Sequence, residues 1–195
     1  MSRKPTVESF LRDVVHHRMT VLLDDRLHRH LRFAQPRSGN MWFELVTWPG
    51  HLCIGGDMGT WVFSRVPDMF TFFRNDKLEI NHSYWAEKLQ CGRSEAQEFS
   101  AEAFGDGLLD QIKNHYGLEG EKLQAVSDAV RREVLCHDER HDLITAAADF
   151  EGPHEFKFDP CELPRGLVWT YRFTWCLYAI VWGIQQYDEF KGSQS

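Results

Sequence analysis

Cys136, His137, Asp138, Glu139, His141 and Asp142 form the densest run of possible metal ligands in the sequence. On one continuous helix His137 and His141 share a face, the spacing that zinc-binding pairs use. A zinc site needs three or four converging ligands. The HExxH pattern is absent, and Cys161 and His154 stand in a separate loop, so a polar helix junction accounts for the run and no metal site is assigned. The stretch Gly55-Gly56-Asp57-Met58-Gly59-Thr60 is the nearest approach to a phosphate loop. Backbone amides in such a loop can nest an anion, which makes Gly56, Asp57 and Gly59 the candidate ligand-binding residues. No lysine follows, Asp57 repels a phosphate, and the spacing fits neither the P-loop nor the dinucleotide fingerprint. A hairpin turn, for which glycine supplies the backbone freedom, explains it fully and is the plainer reading. His28 and His30 could act with His51 as general bases, or could line the wet face of an edge strand. No serine or cysteine sits in a nucleophile elbow. No catalytic residue and no cofactor is therefore assigned.

Two further sets suit binding. Glu95, Glu98, Glu102, Asp106 and Asp110 recur at intervals of three or four, so a single helix would carry them as an acidic stripe. Carboxylates so spaced imitate a row of phosphates and can occupy a protein's nucleic-acid groove. Gly105 and Gly107 interrupt that helix, and a solvated face is the plainer reading. Trp42, Trp48 and Trp61 could form an aromatic platform for a partner. The alternative is that helices cover at least two of them.

Residues 41–66 are the stretch that must position these groups. Trp48-Pro49-Gly50-His51 fits a type II turn, with proline presetting the first corner and glycine taking the positive φ of the second. The flanks are rich in β-branched and aromatic residues. Three glycines among residues 55–59 make the next reversal. The pattern predicts a three-stranded meander, with Met41, Phe43, Leu45 and Thr47 on one face of its first strand and Trp42, Glu44, Val46 and Trp48 on the other. Large apolar groups on both faces imply burial on both sides, or burial on one with aromatics left for a partner. Residues 27–33 alternate and predict a fourth strand, while residues 20–23 fit either a short strand or the end of a first helix. Short helices are expected after Pro67 and after Asn81 or Ser83, the latter reaching Leu89. Longer helices are expected over 108–116, 121–136, 138–150 and 167–187. The last is apolar around most of its circumference, the signature of a helix that others surround, and Gly183 would let a neighbour approach. Residues 1–4 and the tail from 191 read as loose ends.

Composition bounds the rest. The chain has 195 residues, 43% of them hydrophobic and 13% aromatic, enough for a large core in one domain. That domain divides into a meander over about 27–66 and a helical part over about 67–190. A net charge of −7 argues against a broad grip on nucleic acid and leaves room for an acidic face that meets a basic partner. Five scattered cysteines with no CxxC pair, and no signal peptide, point to free thiols in a reducing cytoplasm. Residues 167–184 approach the length of a membrane span but hold Arg172 and five Trp or Tyr residues, so a buried helix is expected instead.

The run GGDMGTWVFSRVPDMFTFFR resembles a segment of small, uncharacterised proteins encoded by bacteriophages and prophages. INHSYWAEKLQ and RFTWCLYAIVWGIQQYD are similar to later segments of the same proteins, in the same order, so the resemblance spans about Arg29 to Asp188. It carries no assigned activity and implies a phage origin, with a role inside an infected bacterium. The resulting expectation is an α+β protein with a small antiparallel sheet of three or four strands packed on helices, the apolar C-terminal helix central. Functionally it is expected to be non-enzymatic, binding and inhibiting a host protein, foremost an antiviral defence component. The alternatives are a nucleotide or small-molecule binder, or enzyme, with its pocket at the glycine turn, and a virion structural or assembly protein.

Overall fold

The computed structural model describes residues 4–193, so the expectations for residues 1–3 and 194–195 lie outside it. In chain order the elements are α1 (Val7–Val14), β1 (Arg18–Asp25), β2 (His28–Ala34), β3 (Phe43–Trp48), β4 (His51–Gly56), β5 (Trp61–Ser64), α2 (Met69–Phe73), α3 (His82–Ala86) and β6 (Leu89–Cys91). They continue with β7 (Gln97–Phe99), α4 (Ala101–Asp110), α5 (Gly120–Glu133), α6 (Arg140–Ala148), β8 (Leu167–Trp169) and α7 (Tyr171–Gly192). The fold is α+β. Its residues group into two compact units, 4–97 with 169–193, and 98–168. Residues 67–97 and the C-terminal helix group with the sheet.

In the first unit β1 to β6 form an antiparallel sheet in sequence order. The expected Pro-Gly turn joins β3 to β4: Trp48 pairs with His51, and Gly50 takes φ +81°. Alternation then sorts the side chains. Leu31, Phe33, Phe43, Leu45, Leu52, Ile54, Trp61 and Phe63 are all buried on one side. α7 packs over that side, and Gly183 is where it comes closest: a Cβ there would stand 2.8 Å from Leu45 Cδ1 and 3.2 Å from the Phe33 ring. Phe33 and Phe43 stack at 4.6 Å, and Phe10 of α1 meets Trp175 of α7 edge-on at 5.2 Å. Each such ring contributes on the order of 1.5–3 kcal/mol by leaving water. Carboxylates answer several of the polar groups that enter this core. Asp13 accepts the Trp175 indole N–H at 3.0 Å, and Asp24 accepts Tyr187 O–H at 2.8 Å and Lys191 Nζ at 3.1 Å.

The second unit is helical apart from the β7–β8 pair. Ser100 caps α4 by accepting the Ala103 N–H at 3.2 Å. The helix runs on through a single π turn at Gln111–His115 and stops at Gly117, which has φ +64°. Phe104, Leu108 and Ile112 pack against Val126 and Val130 of α5 and Leu143 of α6, with Phe150, Phe156 and Phe158 closing the cluster. Gly105 and Gly107 do not break α4. They are small because of what faces them: a Cβ on Gly105 would lie 3.1 Å from Leu135, and one on Gly107 would lie 2.7 Å from Pro164.

The meander is longer than the expected three or four strands. Of the two readings open for residues 20–23 the strand holds, and it extends over Arg18–Asp25, with a bulge between Val21 and Leu23 that interrupts its alternation. β6 holds three residues, and Leu89, expected at the end of a helix, is one of them. α3 ends sooner, at Ala86, and Asn81 caps it with an acceptor bond from the Tyr84 N–H. Residues 167–169 are a strand rather than the start of the last helix, which continues instead to Gly192. Among the described residues no helix is long and apolar enough to cross a membrane.

Candidate functional site

The side of the sheet that faces away from α7 carries the residues with chemistry to offer. Its rows follow from the register. Leu23, His30, Val46, Cys53, Val62 and Cys91 lie opposite one another across all six strands. In a second row Trp48 faces His51, and His51 faces Ser64. In a third Thr20 faces Arg32, and Arg32 faces Glu44. The strands buried on the α7 side are only half covered here, as the burial pattern of β3 shows by alternating from Phe43 to Trp48. Leu23 is 49% exposed and Trp48 37%.

A charged cluster organises one end of this surface. Glu44 accepts Arg32 Nη1 at 2.6 Å and meets His30 Nε2 at 2.9 Å. The Arg32 guanidinium also lies over the Trp42 ring, 4.5 Å from its centre. Burial alone would raise the Glu44 carboxyl, but the hydrogen bonds from His30 and Arg32 outweigh it and hold the group below the usual carboxylate range. At the other end the Trp48 and His51 rings stack at 5.0 Å with 9° between their planes. Between them the Cys53 thiol is raised, first by burial and then by the Cys91 thiol on the same row, so it stays an apolar contributor to the surface rather than a nucleophile. His30 is engaged by Glu44 and His51 by Trp48, in separate rows, so the histidines do not converge as general bases.

Of the three platform candidates Trp42, Trp48 and Trp61, only Trp61 is buried, at 2% exposure. Trp42 is half-buried and Trp48 exposed, so one of the three is buried rather than the expected two.

The glycine turn is filled by its own surroundings. A Cβ on Gly56 would stand 2.3 Å from the Trp42 carbonyl oxygen, and one on Gly59 would stand 2.7 Å from the Trp61 ring. Asp57 turns inward to the chain: its carboxylate accepts the Met41 N–H at 2.8 Å, while its own N–H donates to the Trp42 carbonyl at 3.0 Å. The turn therefore latches the start of β3, with amides committed to protein acceptors instead of facing an anion. Its pocket role among Gly56, Asp57 and Gly59 gives way to a structural one.

The acidic stripe is shorter than its sequence spacing suggests. Glu102, Asp106 and Asp110 are exposed on one face of α4, each one turn from the next, or about 6 Å. Glu95 lies in a separate 3₁₀ turn, Arg93–Glu95, and Glu98 on β7, so neither continues the helical row. Beside α4, a hollow of about 250 Å³ is lined by Glu102, Asp106, His137 and Asp138 among apolar neighbours. His137 precedes α6 while His141 lies in its first turn, so the two do not share a helical face. Among the described residues no three His, Cys, Asp or Glu side chains gather as metal ligands do.

The Arg32–Glu44–His30 cluster was not singled out from sequence. Half of its signal was there, in the alternation of His28, His30 and Arg32 with buried neighbours. The other half, Glu44, depends on the register of β2 against β3. No family model, curated protein or solved structure matches this chain.

Proposed function

We propose that this protein is a non-enzymatic binder that acts through the solvent side of its six-stranded sheet, and that its partner is a bacterial host protein whose activity it blocks. One observation carries the reading. A sheet paired across six strands and sealed on one side by α7 leaves its other side to a half-exposed field of Leu23, Val46, Trp48 and Val62, with Arg32, Glu44 and His30 at its margin. Apolar centres with aromatic anchors and a polar margin are what protein interfaces use. A rigid backbone also spares the ordering entropy that association otherwise costs. The phage-like segments supply the setting, inside an infected bacterium, and an antiviral defence component is the kind of host factor this proposal names. The row Glu102, Asp106 and Asp110 offers a second contact for a partner that normally holds nucleic acid.

Affinity capture from lysate of infected bacteria tests this, using the wild-type chain and two variants. A Val46→Arg/Trp48→Ala variant disrupts the sheet face, and a Glu102→Lys/Asp106→Lys/Asp110→Lys variant reverses the helix row. The expected result is one stoichiometric bacterial protein, lost with the first variant. Capture of that protein undiminished by the sheet variant would assign binding to another surface. The absence of any captured protein would end the proposal.

A further inference from the structure

Three arginines gather where β1 begins and β2 ends. Arg18 and Thr20 on β1 lie opposite Ala34 and Arg32 on β2, and all four belong to the solvent side, because Met19, Val21, Leu31 and Phe33 between them pack on the core. The loop after β2 curls back over them. Gln35 accepts the Ser38 N–H at 3.1 Å, and Arg37 stands in the left-handed region at φ +63°, a conformation that costs a non-glycine residue energy. Together they border an open hollow of about 480 Å³ lined by Arg18, Arg32 and Arg37, with Thr20, Gln35 and Ser38. A second hollow of about 290 Å³ shares Arg18 and Gln35 with the first and adds His16 and His17. His17 is fixed by Nε2 against the Met41 carbonyl at 2.9 Å, and its Nδ1 is buried with no partner.

We infer that this hollow is a binding site for a small phosphate monoester. Charge is the first reason. Arg32 shares its charge with Glu44 at 2.6 Å, whereas neither Arg18 nor Arg37 has an ion-pair partner among the described residues. Two uncompensated guanidinium groups face a ligand that carries about −1.5 to −2 at neutral pH. Geometry is the second. A guanidinium presents a planar fork of donors that matches phosphate oxygens two at a time, and Thr20 and Ser38 add hydroxyls that can donate to a third oxygen. Size is the third, since about 480 Å³ falls in the range of small-molecule sites. Without a ligand the two unpaired guanidinium groups repel each other across the hollow, and an anion between them offsets that repulsion. This site lies apart from the glycine turn and does not depend on the host-protein reading.

Calorimetric titration of the whole protein with adenosine monophosphate, inorganic phosphate and adenosine tests the inference, at fixed ionic strength. The monophosphate and inorganic phosphate are expected to bind with one-to-one stoichiometry, and adenosine is expected not to bind. Arg18→Gln and Arg37→Gln, both at exposed positions that leave the core intact, should each weaken phosphate binding about tenfold, the loss expected of one charge-assisted hydrogen bond. Arg131→Gln, in the other unit, should leave it unchanged. The inference is overturned if adenosine binds as well as its monophosphate, if the Arg18 and Arg37 variants bind phosphate like the wild type, or if Arg131→Gln weakens binding as much as they do. A single-stranded oligonucleotide that binds far more tightly than the monophosphate, with a steep salt dependence, would likewise replace the small ligand as occupant.

Discussion

Arg29 is the buried cation on which β2, α2 and α7 meet, and removing it should cost more than any surface charge in the protein. The residue is 8% exposed, and its guanidinium donates twice to Asp68 at 2.9 and 3.0 Å and lies 4.6 Å above the Phe70 ring. Arg29→Met keeps the apolar stem against Phe70 but strips Asp68 of two charge-assisted bonds. Asp68 retains the Phe70 N–H at 3.0 Å and partial access to water, so the loss should be about 2–3 kcal/mol. Asp68→Asn leaves a guanidinium whose Nε is already unpartnered, and should cost about 3 kcal/mol. The double variant removes both charges together and should cost about as much as one change alone, a coupling of roughly 2 kcal/mol or more. Urea unfolding followed by tryptophan fluorescence is the assay. All seven tryptophans lie in the residues of the first unit, so the signal reports that unit alone. Single variants whose losses add to within about 0.5 kcal/mol in the double would refute the reasoning. The consequence reaches the binding face, because Arg29 alternates with His28 and His30. A strand that slips by one residue turns its outward set inward.

Gly56→Ala should destabilise the first unit by about 2 kcal/mol or more, since its Cβ would meet the Trp42 carbonyl and its φ of +152° suits glycine; the urea midpoint measures it. Thr6→Ala removes a complete capping box at the start of α1, and a loss of about 1 kcal/mol in the same assay is expected. Acid should weaken the fold through Asp24, Asp68 and Glu44. For each, burial raises the carboxyl but hydrogen bonds outweigh it, so the folded group titrates below its unfolded value. The folded state then binds fewer protons than the unfolded one. Stability is complete above about pH 4–5 and falls as pH drops through the folded values, which urea midpoints from pH 7 to 3 will show. His82 adds an earlier limb. Burial, and then Lys4, lower it, so stability should begin to fall below about pH 6.5, and His82→Gln should remove that limb alone.

Local chemistry was readable without coordinates wherever one short stretch decided the outcome. Pro49-Gly50 turned the chain where expected because proline and glycine leave the backbone few other paths. Gly183 met a close neighbour in Leu45 and Phe33. Asn81 capped its helix, and Phe70 and Phe73 faced inward. The misreadings arose where two distant segments had to be compared. The bulge in β1 left residues 20–23 open between strand and helix end, because one extra residue, Leu22, breaks the period that identifies strands. Gly105 and Gly107 looked like helix breakers because their tight neighbours, Leu135 and Pro164, lie far along the chain.

The sequence by itself determined the mixed α+β class, the central meander and the apolar last helix, since these follow from periodicities of two and 3.6 and from turn residues; the alternation also set His28 and His30 on the outward face, but of a strand inside the sheet between β1 and β3 rather than of the expected edge strand. Only the tertiary structure decided that Glu44 would answer Arg32 and His30, that Asp57 would bind Met41 instead of an anion, and that Arg18, Arg32 and Arg37 would surround one hollow. The physical reason is register. Which charge stands beside which across a sheet depends on how the strands slide before they lock, and that choice is made by the whole core together rather than by any single stretch of chain.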